Sequence, residues 1–253
     1  MRPYILAECN WKDIKNRAVD LAILPWGATE AHNYHLPYSS DVIESEQIAA
    51  VSAEKAFAQG AKVIVLPTVP FGVNTGQIDI KLDLNINPGT QALILNDIIE
   101  VLNRNKIYKF LILNGHGGND FKPILRELGL KFPKMFLSYC NWYRSLNKSE
   151  YFDYDGDHAD EMETSLLLFL APNLVLPLIE AGDGKEKKIK LSGIKEGWAW
   201  TERKWSAVTE DTGIGNPKKA TKEKGEKYFN DVTDKIAQLM VELADADLNN
   251  LYE

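Results

Sequence analysis

The sequence predicts an α/β fold in which a mostly parallel sheet carries helices on either side. Three observations lead there. Short apolar runs alternate with amphipathic helical stretches through the front two-thirds of the 253 residues. The strand candidates are apolar throughout rather than alternating, as in a sheet covered on both faces. Strand–helix alternation then favours parallel pairing, because parallel neighbours need a crossover between them. Residues 21–25 (Leu-Ala-Ile-Leu-Pro) read as the first strand, ending at Gly27. Residues 43–59, rich in Ala and Glu, read as a helix stopped by Gly60. Residues 62–67 form a second, β-branched strand candidate. From 90 to 105 the period is helical, with Leu95, Ile98, Ile99 and Leu102 on one face. Residues 110–113 read as a third strand closed by Asn114-Gly115, and 135–139 as a fourth.

The back third differs. Residues 162–170 predict a helix that packs Leu166, Leu167 and Leu170. The charged run 182–188 reads as a solvated loop. Residues 194–205 carry Trp198, Trp200 and Trp205, read as core or interface side chains. Asn216 is placed as N-cap of the last helix, with Pro217 at its first position. Tyr228, Phe229, Val232, Ile236, Leu239, Met240 and Leu243 give that helix one apolar stripe. No internal repeat or linker interrupts the chain, so 1–253 reads as a single domain.

Composition narrows the function classes. The formal net charge of −7 argues against a protein that tracks a nucleic-acid backbone. Cys9 and Cys140, the only cysteines, read as two reduced thiols. The N-terminus breaks off before any signal-peptide apolar stretch, and no run approaches the roughly 18 apolar residues of a membrane span. The cytoplasm is the expected location, with no membrane partner.

The chemistry sits in three blocks. Only four histidines exist, and all fall in or beside clusters of metal-ligand candidates: His32, His35, His116 and His158. The first block is Glu30-Ala31-His32-Asn33-Tyr34-His35, followed by Asp41. Glu30 and His32, two apart, would share a face of an extended segment, and a loop could fold Asp41 back beside them. A carboxylate can bridge two cations about 3.5–4 Å apart. The second block is Asn114-Gly115-His116-Gly117-Gly118-Asn119, whose glycines allow close approach to a ligand. The third is Asp155-Gly156-Asp157-His158-Ala159-Asp160-Glu161-Met162-Glu163. Here Asp157, Asp160 and Glu161 also read as ordinary helix-start acids. Glu163 lies deeper, beside Met162 and Leu166, where a carboxylate needs a partner. His158 has the pKa range to donate a proton to a leaving nitrogen, and a neighbouring carboxylate would raise it. Glu30, His32 and His116 each follow a predicted strand by a few residues, where parallel sheets bind ligands.

Taken in order, these blocks resemble the creatininase (creatinine amidohydrolase) family. The resemblance rests on Gly27-Ala28-Thr29-Glu30-Ala31-His32, His35-Leu36-Pro37, Asp41, Asn114 to Asn119, His158-Ala159 with Glu163-Thr164-Ser165, and Gly213-x-Gly215-Asn216-Pro217. It implies a three-layer αβα sandwich with a mostly parallel central sheet. It implies two divalent metal ions (Zn, Mn or Fe) and hydrolysis of a small or cyclic amide C–N bond, with a formamide or a peptide end as alternatives. By position, Glu30, Asp41 and His116 look like one metal site, and His32 with Asp41 part of a second. His158 looks like the substrate-side histidine. Homo-oligomers, hexamers built from dimers, are common in the family. The chain also departs from the pattern. Gly118 stands where creatininase has a metal-binding glutamate, and Glu163 is the candidate replacement, as ligand or proton carrier. Asn74 and Gln77 stand where relatives have a serine and a histidine, and Tyr154 where creatininase has a substrate-stacking tryptophan. The catalytic candidates are therefore His158 and Glu163. The substrate-side candidates are Asn74, Gly117, Trp142, Tyr154 and Asp155. A non-catalytic metal- or ligand-binding protein that keeps the fold is the alternative from another class.

Overall fold

The computed structural model describes residues 1–252. Four strands form one sheet in the order β2-β1-β3-β4: β1 (Leu21–Trp26), β2 (Val63–Val65), β3 (Lys109–Asn114) and β4 (Phe136–Asn141). Every pairing is parallel, with Leu21 opposite both Val63 and Lys109, and Lys109 opposite Phe136. Helix α1 (Ser40–Ala58) joins β1 to β2, α2 (Pro88–Arg104) joins β2 to β3, and α3 (Lys122–Lys131) joins β3 to β4. Helices α4 (Glu161–Leu170) and α5 (Lys222–Asp245) follow.

Successive side chains of a strand point to opposite faces, so each strand feeds two cores. Leu21, Ile23, Val63, Val65, Leu111 and Leu113 pack with Ile48 and Ala53 of α1, Leu166 of α4, and Val232 and Ile236 of α5. Ala22, Leu24, Trp26, Phe110 and Ile112 pack with Leu95, Ile99 and Leu102 of α2, and Ile124 and Leu128 of α3. The result is helix layer, sheet, helix layer, as expected. Covered faces explain why the strands carry no polar alternation.

The boundaries differ from the sequence reading where local chemistry intervenes. Helix α1 begins at Ser40, which puts Asp41 in its first turn rather than in a loop. Helix α2 opens on Pro88, whose missing N–H is harmless in a first turn. Helix α3 was not anticipated, because only Ile124 and Leu128 mark its buried side. The start of the last helix needs correction. Asn216 caps a separate 3-10 turn, Pro217–Lys219, and α5 begins at Lys222 with the Thr221 side chain accepting from the Lys224 N–H. Ala220 and Thr221 are both extended, so one helix cannot run through them. Trp205 is buried with Val208 and Ile214, whereas Trp198 and Trp200 are exposed. Cys9 and Cys140 are free thiols. Among the described residues, no helix is long and apolar enough to cross a membrane.

Connectivity also positions a site. From β1 the chain leaves toward β2 through α1 on one face, and from β3 it leaves toward β4 through α3 on the other. Winding reverses between β1 and β3, so a crevice opens beyond their carboxyl ends.

Candidate metal centre

That crevice gathers all three sequence blocks. Glu30 and His32 follow β1, Asp41 enters from the first turn of α1, His116 follows β3, and His158 and Glu163 flank the start of α4. All six are buried, none more than 8% exposed. His116 Nδ1 lies 2.8 Å from Glu30 Oε1 and 3.0 Å from Asp41 Oδ2. His32 Nε2 lies 2.9 Å from Asp41 Oδ1, and its Nδ1 is 3.1 Å from the Glu30 carbonyl oxygen. His158 Nδ1 is 3.9 Å from Glu30 Oε1, while its Nε2 donates to the Ala31 carbonyl at 2.8 Å.

Two ligand trios share Asp41. Glu30, Asp41 and His116 offer atoms within 4.8 Å of one another, and so do His32, Asp41 and Glu163. A third set, Glu30, His32 and His158, meets the same limit. Imidazole and carboxylate donors suit Zn, Mn or Fe. Asp41 Oδ2 accepts no well-formed hydrogen bond although it is buried, as fits an oxygen disposed toward a cation. The residues present therefore fit a divalent metal.

The electrostatics explain how this cluster is tolerated. Burial opposes ionisation of Glu30 and Asp41, yet the neighbouring histidines hold both carboxyls below their ordinary range. Burial also disfavours charge on His32, but Asp41 overrides it and lifts the imidazole to about 10. Glu30 lifts His116 likewise. The two imidazolium groups thus occupy the cationic role that bound metal would take. Burial pushes Glu163 up to about 8, partly offset by His32. His158 reverses the sequence expectation of a raised value. Burial and the charge of His32 outweigh Glu30 and lower it, so the ring is neutral.

A cleft of about 460 Å³ opens onto the cluster. Asn74 and Gly117 line it; Trp142, Tyr154 and Asp155 do not. Trp142 is fully buried in the core on the α1 side of the sheet, and the Tyr154 ring lies 4.9 Å from Lys219 Nζ. Gly118 has no room for a side chain, since a Cβ would fall 2.3 Å from the Val73 carbonyl oxygen and 2.5 Å from His116 Nε2. Glu163 approaches the cluster from α4 instead, its Oε2 accepting the Ala159 N–H. Asp160 is the N-cap of α4, accepting from Met162 and Glu163, and Glu161 is tied to Lys224. His35 stands on Thr164 at 2.9 Å, and burial keeps it neutral, with its pKa lowered to about 4.

Several contributors were not read as site residues in the sequence, although Gln77 stood out as a departure from the family pattern. Gln77 donates to Glu30 Oε2. Tyr143, Arg144, Arg203 and Trp205 line the cleft. Glu44 is fully buried, with both oxygens unpaired. Its signal was available: 41, 44, 45 and 48 are spaced as one helical face, so a carboxylate there faces inward.

The Creatininase family model, described as creatinine amidohydrolase, matches residues 7–240. A Pseudomonas putida creatinine amidohydrolase is 28% identical over 196 residues, covering 67% of this chain and 73% of the relative. A mycofactocin precursor peptide peptidase from Mycobacterium tuberculosis (strain CDC 1551 / Oshkosh) is 25% identical over 217 residues, covering 82% and 79%. Among solved structures, a Bacteroides fragilis NCTC 9343 protein provisionally named creatinine amidohydrolase superposes with a TM-score of 0.92 at 40% identity, covering 100% of both chains. Creatininase structures in a Zn-Zn form and with Mn share the fold, with a TM-score of 0.78 at 20% identity over 96% of this chain and 99% of theirs.

Proposed function

The chain belongs to the creatininase family, and from that premise we propose a metal-dependent amidohydrolase that cuts the C–N bond of a small amide. The single observation that carries the proposal is the sharing of Asp41 between two buried ligand trios. In this reading Glu30, Asp41 and His116 hold one divalent ion, and His32, Asp41 and Glu163 hold the other. The ions are Zn, Mn or Fe, by the donor set and by the creatininases solved with Zn and Mn. Bound there, they would supply Lewis acidity, bringing the pKa of water toward about 7 and stabilising charge on a carbonyl oxygen.

The remaining work belongs to the chain. The Ala31 carbonyl can only accept, so His158 Nε2 carries a hydrogen and Nδ1 keeps its lone pair. That lone pair takes a proton from the attacking water and returns it to the departing nitrogen. The water oxygen joins the carbonyl carbon, the C–N bond breaks, and the products are a carboxylic acid and an amine. Glu163, held by the Ala159 N–H through Oε2, keeps Oε1 for a cation or for the same proton. Gly117 and Asn74 border the substrate. We take residues 1–253 as one hydrolase unit, a homo-oligomer in the cytoplasm acting on a small molecule.

A second reading has its own support. Gly118 leaves the family's glutamate position empty, which favours a binding protein without turnover, or a one-metal enzyme. Metal counting separates the readings. Elemental analysis should find about two ions per parent chain and almost none after Asp41→Asn, since both trios lose a charged donor. His116→Ala should lose the first ion. Two ions retained by Asp41→Asn would refute the assignment, and fewer than two in the parent would favour the second reading.

A further inference from the structure

One cation on the rim of the cleft, exposed and also bordering a second cavity, is neutralised by no carboxylate among the described residues. Of the three lysine and arginine side chains lining the cleft, Arg203 lies 2.7 Å from Asp157, and Lys148 lies 3.4 Å from Asp160. Arg144 pairs with no carboxylate and makes no side-chain hydrogen bond among the described residues. It stands in the turn that follows β4, beside the β3 turn that carries His116, beyond the carboxyl ends of the strands. Its guanidinium lies 5.8 Å from the ring of Tyr143, which also lines the cleft.

A second polar atom lining the cleft is idle. Asn74 is 2% exposed and lines the cleft, yet its Oδ1 has no partner. Its orientation is fixed, because Nδ2 donates to the Leu84 carbonyl at 3.2 Å and that carbonyl can only accept. The free atom is therefore an acceptor, suited to an amide N–H. A pocket of about 460 Å³ accommodates a molecule of dipeptide size.

We propose that Arg144 makes this cleft selective for amides that carry a free carboxylate, the guanidinium seating the carboxylate while Asn74 Oδ1 accepts an amide N–H. N-acyl amino acids and peptide ends present both groups; neutral lactams present only one. The inference rests on the amidohydrolase reading and specifies the substrate class for that site. Arg144 is a specificity residue: its planar fork matches a carboxylate, and a charged hydrogen bond contributes about 1.5–3 kcal/mol, or roughly tenfold or more in affinity.

The test uses metal-loaded protein and matched probes: acetylated dipeptides as free acids and as C-terminal carboxamides, with binding read by calorimetry. The acid should bind about tenfold tighter than the carboxamide. Arg144→Ala should erase most of that preference with its metal content unchanged, and Arg144→Lys should restore part of it. Equal binding of acid and carboxamide by the parent, or binding of neither, would overturn the proposal. A preference surviving in Arg144→Ala would place the carboxylate on the metals and overturn it too. Inorganic phosphate binding as tightly as the dipeptide acid, and lost in Arg144→Ala, would replace the substrate class with phosphates. Failure of the amidohydrolase reading is distinguishable, because it shows in the metal count of the parent.

Discussion

Glu44 shares the buried stripe of α1 with Asp41, Ser45 and Ile48, yet neither of its carboxylate oxygens has a hydrogen-bond partner. Burial raises its pKa well above the ordinary 4.5, and the charges of Glu163 and Asp41 add to the rise. Below 4.5 the group is neutral in both folded and unfolded chains. Above that pH the unfolded chain releases the proton while the folded chain retains it, so stability falls as pH rises. Glu44→Gln removes the titration and keeps the shape. In metal-stripped protein, its melting temperature should fall less than the parent's between about pH 5 and pH 8. Parallel pH curves for the two proteins would show that Glu44 is ionised in the fold. The same residue shows what a sequence reading passes over. Metal-ligand spacing points to Asp41, whereas Glu44 is marked only by sharing a helical face with Ser45 and Ile48, and the helix start at Ser40 puts Asp41 on that face too.

Helices α4 and α5 hold the back wall of the site, and one glycine sets their separation. A Cβ on Gly225 would fall 1.9 Å from the Ser165 carbonyl oxygen, a backbone atom that cannot rotate aside. Gly225→Ala must push α5 off α4, the helix that carries Glu163. Overpacking of this kind costs about 1–3 kcal/mol, or roughly 2–4 °C in melting temperature per kcal/mol for a chain of this size. Glu163 should also lose alignment, so occupancy of the second metal position should drop while the first persists. Thr221→Ala serves as a control: it removes an N-cap worth about 1 kcal/mol without moving the helices apart. A Gly225→Ala protein as stable as the parent would mean that the two helices have slack. These elements were partly legible in the sequence. The apolar stripe of α5 was evident, but its start was not, because Asn216 and Pro217 are equally good openings for a 3-10 turn.

The whole chain brings together side chains that an unfolded polymer would keep apart. Glu30, Asp41, His116 and Glu163 come from four segments, and without cations the buried carboxylates of Glu30 and Asp41 are balanced by the imidazoles of His116 and His32. A metal that binds the folded chain alone stabilises it by mass action, about 4 kcal/mol per site at a thousandfold excess over Kd. Adding Zn or Mn to chelator-treated protein should therefore raise the melting temperature by roughly 15 °C or more when both sites fill. The rise should be much smaller in Asp41→Asn. Equal shifts in both proteins would point to ions bound elsewhere. The strand order sets the place of this site. With winding reversed between β1 and β3, the loops after those strands face one crevice, and the residues after β4 form its side.

Sequence by itself determined the layered α/β architecture, because strands covered on both faces must be apolar throughout and helices show their period. It also brought forward Glu30, His32, Asp41, His116, His158 and Glu163 as candidates, since all four histidines fall in or beside acidic and glycine-rich blocks. The family resemblance implied the sharing of Asp41, and tertiary structure supplied the distances that gather two trios of candidate ligands around it. Tertiary structure also lowered His158 rather than raising it, left Trp142, Tyr154 and Asp155 outside the cleft, and placed Arg144 on its rim. Each of these depends on distance and burial between segments remote in the chain, and local spacing carries no record of either.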